Sequence, residues 1–234
     1  MPDISEVHSV FVRELKKSLN LETVALKHRL PVRPPRTLGL IRLDGEVFTA
    51  EKLLRVVCLR ISLPCYMNVY STFIRPAAEY SLPVFSCEVV RLGSKRIIVL
   101  DIHETGDDHA EREQTPFYDD LVNIRAGYSD VLACAVKSGG GAIQSVNSKA
   151  ACRVKVPRAL DERALDLVAR YTAAYAGLVN DAVPLAGGQR EAAARAFAEY
   201  LKTVVEHDPG VKANVVFFGK QEGLARAMDM FFGA

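Results

Sequence analysis

The 234-residue sequence lacks the short motifs that most cofactor-dependent enzymes carry. It has neither a GxGxxG nor a GxxxxGK[ST] run, so no segment indicates a nucleotide cofactor. Its five histidines are scattered without HxH or HxxxH spacing, which argues against a metal site. No serine lies in the GxSxG context of a nucleophile elbow. These absences leave side-chain carboxyl groups as the main candidates for chemistry.

Long hydrophobic runs and paired cysteines are also missing. No apolar run approaches the roughly 20 residues that cross a bilayer, and the N-terminus lacks the basic-then-apolar pattern of a secretory signal. The five cysteines are odd in number and show no CxxC, which favours buried core thiols over disulfides or zinc ligands. A net charge of +2 does not call for a nucleic-acid partner. We therefore expect a protein of the reducing cytoplasm with no membrane partner.

Hydrophobic periodicity predicts a helix first, then a sheet, then further helices. The hydrophobic share of 49% is enough for a full core. Strand-like runs lie near 37–43, 46–49, 53–62, 66–75, 83–92, 95–103 and 150–156. Helical patterns lie near 3–20, 116–132, 161–175, 190–206 and 219–231, with Asp161 as the expected N-cap of the third. Short links between strands favour an antiparallel meander. We predict one α/β domain over 1–234, a three-layer α/β/α sandwich around a central antiparallel sheet.

The most informative segment is a hairpin of two apolar strands, 83–90 and 95–102. The two-residue loop between them begins with Gly93, which suits a type II′ turn. If Gly93 and Ser94 form the loop, Glu88 faces Val99 across the strands. The register of every other pair follows from this one.

One face of the hairpin is mixed and the other is wholly apolar. The mixed face carries Val84, Ser86, Glu88, Val90, Ile97, Val99, Asp101 and His103. Polar groups among Val and Ile on a sheet face need partners or a ligand. The alternative is that Glu88 and Asp101 are solvated or paired with a nearby arginine.

Two blocks of the sequence resemble the ferredoxin-dependent bilin reductases, which reduce biliverdin or related open-chain tetrapyrroles. The central block reads Pro76, Tyr80, Leu82-Pro83-Val84-Phe85, Glu88 and Ile97-Ile98-Val99-Leu100-Asp101. The C-terminal block reads Tyr200, Asp208-Pro209, Phe218-Gly219 and Met228 to Phe232. Their order and the strand-to-helix layout match that family.

The resemblance implies roles for particular residues. The family's central acid, which protonates the pigment, falls on Glu88. The second acid of the phycoerythrobilin and phytochromobilin synthases falls on Asp208. The central acid is usually Asp, so Glu88 leaves the regiochemistry open and is more similar to the red chlorophyll catabolite reductases. The His and Glu of phycocyanobilin-type members fall on Ser71 and near Arg60, and both departures argue against that mechanism.

The resemblance also implies the ligands and partners. The family holds no permanently bound cofactor, reduced ferredoxin supplies electrons singly, and the pigment itself becomes the radical. A bilin carries two propionates that need cations. The nearest basic candidates are Arg153, Lys155, Arg158 and Lys212, each of which can equally be ordinary surface charge. Ser71, Arg60 and Asp101 complete the expected substrate contacts, and the chain is expected to act as a monomer.

Ferredoxins are acidic, so the surface of this protein that binds ferredoxin should be basic. Arg91, Lys95 and Arg96 at the hairpin tip are the expected docking residues, and residues 27–36, the densest basic stretch, are the alternative surface. Either cluster can instead be a solvated charged face.

A non-catalytic tetrapyrrole carrier or chaperone on the same scaffold is the alternative function. A carrier needs the pigment slot but no proton donors, so the presence of both Glu88 and Asp208 favours the enzyme. The residues leave open which double bond is reduced and whether two or four electrons are transferred.

Overall fold

A seven-stranded antiparallel sheet forms the centre of the computed structural model, which describes residues 3–105, 113–136 and 146–233. The strands are β1 (Glu22–Thr23), β2 (Arg42–Ala50), β3 (Leu53–Leu63), β4 (Met67–Pro76), β5 (Val84–Leu92), β6 (Lys95–His103) and β7 (Cys152–Pro157). Their order in the sheet is their order in the chain, and every neighbouring pair is antiparallel. The predicted antiparallel meander is confirmed.

Helices cover both faces of this sheet. They are α1 (Val7–Lys16), α2 (Pro116–Ala126), α3 (Ser129–Leu132), α4 (Asp161–Asp181), α5 (Gly188–His207), α6 (Pro209–Phe218) and α7 (Lys220–Ala227), followed by a π-helical turn at Met228–Phe232. The first four pack their apolar side chains on one face, and α5 to α7 with the π-helical turn pack on the other. The three-layer α/β/α arrangement is confirmed.

Two expected element boundaries are wrong. The run 37–43 is not a strand, because Pro35–Thr37 forms a 3-10 helical turn and Leu38 adopts a left-handed φ of 51°, so that β2 begins only at Arg42. A separate helix follows Asp208, since α6 occupies the gap that the helical patterns leave before residue 219. Proline at the first helical position is compatible with helix initiation because its missing N–H would have no intrahelical partner.

The expectation that Arg96 is accessible for docking at the hairpin tip is wrong, because its side chain is buried. The neighbouring Ile97 faces the α5–α6 layer, so Arg96 points to the opposite face, where α4 covers it. Its Nε donates to Asp161 Oδ1 at 3.1 Å, and only 3% of either side chain is exposed. Asp161 also accepts the backbone N–H of Ile4, so its carboxylate joins the N-terminus to the sheet instead of capping α4.

Breaking this buried ion pair should destabilise the fold strongly. We expect Arg96→Met to lower the free energy of unfolding by about 3–5 kcal/mol, because it leaves the buried charge of Asp161 uncompensated. Urea unfolding at pH 7 measures the change. The matched control is Arg163→Met, which breaks an exposed ion pair with Asp130 and should change the free energy of unfolding far less, because solvent screens that pair. Equal small changes in both variants would contradict the role of the buried pair.

Candidate functional site

Glu88 lies at the centre of β5, on the sheet face that α5 and α6 cover. It stands opposite Val99 of β6, so the predicted hairpin register is confirmed. On its other side it stands opposite Ser71 of β4, whose hydroxyl donates to Glu88 Oε1 at 3.5 Å. The structure thus brings the Ser71 hydroxyl into contact with the Glu88 carboxyl group.

A cavity of ≈ 270 Å³ separates this sheet face from α5 and α6. The volume is close to the lower end of the range for small-molecule sites, about 300 Å³. Its walls are mainly apolar and include Leu59, Ile61, Val69, Phe73, Val90 and Phe231. Glu88, Ser71, His103 and Asp208 are among the polar groups that line it. An apolar cavity with a few polar groups is typical of a small-molecule binding site.

Asp208 faces Glu88 from the opposite wall. It is the N-cap of α6, and its carboxylate accepts the backbone N–H of Val211 at 2.9 Å. Gly210 lies between the two acids: a Cβ there would stand 3.0 Å from Asp208 Oδ1 and 3.9 Å from Glu88 Oε1. A side chain at Gly210 would therefore occupy the space between the carboxyl groups.

Burial favours the protonated form of both acids, and the negative charge of Asp208 adds to this effect at Glu88. Burial, and then the negative charge of Asp208, raise the pKa of Glu88 to about 7, although the Ser71 hydrogen bond opposes them. Burial also raises the pKa of Asp208, against the backbone N–H groups of Val211 and Gly210 and the positive charges of His103 and Lys212. A carboxyl group that titrates near neutral pH can act as a general acid.

His103 is a further polar group of the cavity, and its Nδ1 lies 3.1 Å from the hydroxyl oxygen of Tyr200 on α5. Burial lowers the pKa of His103, while Asp101 and Asp208 raise it. The alternation along β6 places His103 on the Glu88 face, but only the structure shows its partners. Tyr200 and Gly210 were not predicted as site residues; the Asp-Pro-Gly helix start at residue 208 is the local signal that indicates such a cap.

Asp101 does not line the cavity, contrary to expectation. It is 2% exposed and accepts hydrogen bonds from the backbone N–H groups of Ile102 and Ser148 and from the Ser148 hydroxyl. Its Oδ2 lies 3.5 Å from Nε2 of His103. Asp101 therefore contacts a cavity residue without reaching the cavity, because neighbouring backbone donors bind its carboxylate.

Arg60 is also outside the cavity. Leu59 and Ile61 line the cavity, so the intervening Arg60 points to the other sheet face. There it donates to Asn68 and lies over the ring of Tyr70. The alternation along β3 excludes the expected contact with a ligand in the cavity.

The remaining basic residues that were predicted to contact substrate lie at different distances from Glu88 and Asp208. Lys212 is exposed on α6, near enough to lower the pKa of Asp208. Arg153 and Lys155 are exposed on β7, where their pairing with β6 puts them on the Glu88 face, two strands away. Arg158 lies in the 3-10 turn after β7 and does not approach the cavity.

The two basic clusters differ in accessibility. At the hairpin tip Lys95 is exposed, Arg91 is half-exposed and 3.7 Å from Asp3, and Arg96 is buried. In the 27–36 stretch the exposed basic residues are Lys27, Arg29, Arg33 and Arg36. This stretch borders the cavity layer, since the backbone of His28 donates to Asp229 in the π-helical turn. The structure thus favours the 27–36 stretch as an accessible basic surface.

In the described ranges, no three His, Cys, Asp or Glu side chains come together in a way that could hold a metal ion. None of the helices described in those ranges is long and apolar enough to cross a membrane.

Comparisons with known proteins give one family and one fold. The model of the family described as ferredoxin-dependent bilin reductase matches residues 8–225. A solved structure of phytochromobilin synthase from tomato, in complex with biliverdin, superposes with a TM-score of 0.81 over 97% of this chain and 81% of that one. At 20% sequence identity this similarity shows a shared fold. No curated protein matches the chain.

Proposed function

Since this chain belongs to the ferredoxin-dependent bilin reductase family, we propose that it reduces biliverdin or a closely related open-chain tetrapyrrole. The family membership establishes an oxidoreductase that reduces a bilin with electrons from ferredoxin. Biliverdin is proposed because the tomato phytochromobilin synthase of the same fold was solved with it. The observation that carries the proposal is the pair of carboxyl groups, Glu88 and Asp208, facing each other across an apolar cavity.

In the proposed mechanism the protein orients the pigment and supplies protons. Electrons arrive one at a time and reduce the pigment, which becomes a radical. Glu88 delivers a proton from the sheet side, because its raised pKa keeps a proton available near neutral pH. Asp208 delivers a proton from the helix side for a second protonation.

The sheet face beyond the cavity sets the orientation of the bound pigment. Ile97 and Val99 of β6 are half-exposed on the Glu88 face and extend the apolar surface toward β7. A pigment that continues across them places its propionates near Arg153 and Lys155. Charge-assisted bonds from these side chains would fix the pigment's orientation relative to Glu88.

Anaerobic turnover tests this function directly. The protein is mixed with biliverdin, reduced ferredoxin and ferredoxin reductase, absorbance is followed, and the product is identified by chromatography. We expect one pigment per protein, a transient radical spectrum and a reduced bilin. A pigment that binds but is never reduced would instead indicate a carrier, and an unchanged pigment spectrum with folded protein would contradict both functions.

Ferredoxin should dock on the 27–36 stretch. We expect the double reversal Lys27→Glu with Arg29→Glu to lower kcat/KM for ferredoxin about tenfold at low salt, because the surface no longer attracts an acidic partner. The salt dependence of the rate should weaken, while biliverdin binding stays unchanged.

The matched control reverses Arg13 and Arg170, which are 62% and 63% exposed on the opposite helix layer. A second arm reverses Arg91 and Lys95 and leaves the buried Arg96 intact. If the hairpin-tip variant slows turnover and the Lys27 and Arg29 variant does not, the docking assignment is wrong.

A further inference from the structure

Few large hydrophobic side chains are exposed in the described part of the chain, and most of them lie on two adjoining segments. Leu38 is 91% exposed, Leu40 59% and Val216 67%. The two leucines follow the 3-10 turn Pro35–Thr37, and Val216 lies on α6, which packs against that turn. We call Leu38, Leu40 and Val216 the apolar patch.

The backbone at Leu38 has a conformation that leucine rarely adopts. Its φ of 51° and ψ of 28° are left-handed, a region where the β-carbon is crowded and where glycine or asparagine is usual. Leucine here is neither favoured by the backbone nor buried in the core, so neither conformation nor packing explains it. Contact with another molecule accounts for an apolar side chain in such a place.

Hydrogen bonds hold the turn that presents the two leucines in one shape. The hydroxyl of Thr37 donates to the carbonyl oxygen of Pro34 at 2.7 Å, and the backbone N–H of Leu40 donates to that of Thr37 at 3.0 Å. The Arg33 guanidinium donates to the carbonyl oxygen of Gly39. Because these bonds order the turn before a partner arrives, less conformational entropy is lost on binding.

Basic side chains flank the apolar patch. Arg36 is exposed and lies against the C-terminal end of α6, since a Cβ on Gly219 would stand 2.7 Å from its Nη2. Lys212 is exposed one helical turn before Val216, on the same side of α6. An apolar centre with a charged rim is the usual anatomy of a protein–protein interface, and a basic rim fits an acidic partner.

The apolar patch is also one helix away from the cavity that contains Glu88 and Asp208. The inner side of α6 lines that cavity through Val211 and Asn214, whereas Val216 is exposed on its outer side. An α-helix with its side chains is about 10–12 Å across. A redox partner on the patch would therefore be held close to the pigment, and a short distance favours electron transfer.

We propose that the apolar patch anchors ferredoxin, with Leu38 at the centre of the interface and the 27–36 stretch as part of its basic rim. The inference rests on the proposed function and adds an apolar contact to the charge contacts proposed there. Charge attracts an acidic partner from a distance and is screened by salt, whereas the burial of a leucine side chain does not depend on charge. The two contributions therefore differ in their response to sodium chloride.

Leu38→Asn tests the anchor, because asparagine adopts the left-handed conformation more easily than leucine and should retain the turn. We expect the Kd for a plant-type [2Fe–2S] ferredoxin, measured by titration calorimetry, to rise about tenfold at both low and high sodium chloride. The slope of log Kd against log salt should match the parent's, whereas the reversal of Lys27 and Arg29 should flatten it. Biliverdin binding and urea unfolding should match the parent's.

The matched control is Val183→Asn, which changes another exposed apolar side chain, beside the end of α4 in the opposite layer. A second control is Tyr66→Asn, since the carbonyl oxygen of Tyr66 accepts the N–H of Gly93 at the hairpin tip. We expect both controls to bind ferredoxin as the parent does. If either weakens binding as much as Leu38→Asn, the anchor is wrong.

The anchor and the proposed function can fail separately. If the parent reduces biliverdin and Leu38→Asn binds ferredoxin as tightly as the parent at every salt concentration, the anchor is wrong and the proposed function stands. If the parent binds ferredoxin through Leu38 but never reduces biliverdin, the anchor stands and the proposed substrate is wrong. If the folded parent does not bind ferredoxin, the anchor is wrong.

Discussion

Glu88→Gln should slow product formation by about 10²-fold or more, the usual scale for the loss of a general acid. Glutamine keeps the size and hydrogen bonding of Glu88 but has no transferable proton. We expect the variant to bind biliverdin, to accept an electron and to stall as a pigment radical, because electron transfer does not require the carboxyl group. Optical and paramagnetic resonance spectra during anaerobic reduction measure the radical, and chromatography measures the product.

Glu88→Asp is the matched control for this prediction. It keeps a carboxyl group at the same position, so reduction should continue at a rate much nearer the parent's. Any change in the product would show the effect of the shorter side chain of aspartate. If Glu88→Gln forms the parent's product at the parent's rate, Glu88 is a structural acid and the central assignment is wrong.

The same substitution should change the pH dependence of stability in the pigment-free protein. Burial raises the pKa of Glu88 from 4.5 to about 7, so between these pH values the folded state binds more protons than the unfolded state. The stability that the protonated acid contributes is complete below about pH 4.5 and is lost as the pH rises through about 7. Glutamine cannot ionise, so Glu88→Gln should be more stable than the parent at pH 8, and the difference should shrink toward pH 5. Urea unfolding at both pH values measures it.

Asp208→Asn should allow the first protonation and slow a second one by about 10²-fold, or redirect it, because Asp208 approaches the pigment from the helix side. Asparagine remains a good N-cap, so the bond to Val211 and the start of α6 are retained. The measurement is the product distribution over time, compared with Glu88→Gln and the parent.

Asp208→Ser is the control for this prediction, because serine can also cap α6 but is not an acid. It should reproduce the altered products. If both variants form the parent's product, Asp208 does not donate a proton to the pigment. If both variants lose helical circular-dichroism signal, the role of Asp208 is in the fold alone.

The face of each strand residue was predictable from the sequence alone. The Gly93-Ser94 turn sets the pairing of Glu88 with Val99, and the two-residue period of a strand then fixes every other side chain of the hairpin. The same period separates Arg60 from Leu59 and Arg96 from Ile97, so strand alternation could have excluded both arginines from the cavity. These features are local, since a strand's backbone geometry determines them without reference to the rest of the chain.

Only the tertiary structure decided what each face meets. Arg96 is buried because Asp161, from a helix far along the chain, lies against it. The carboxylate of Asp101 is bound inside the protein because Ser148 donates to it. The pKa of Glu88 is raised to about 7 because the fold buries its carboxyl group and because α6 brings the negative charge of Asp208 near it. Burial, ion pairing and pKa depend on contacts between distant segments, which residue periodicity does not encode. The sequence therefore predicted the sheet and its central acid, while the packing of α4, α5 and α6 determined which polar groups belong to the site.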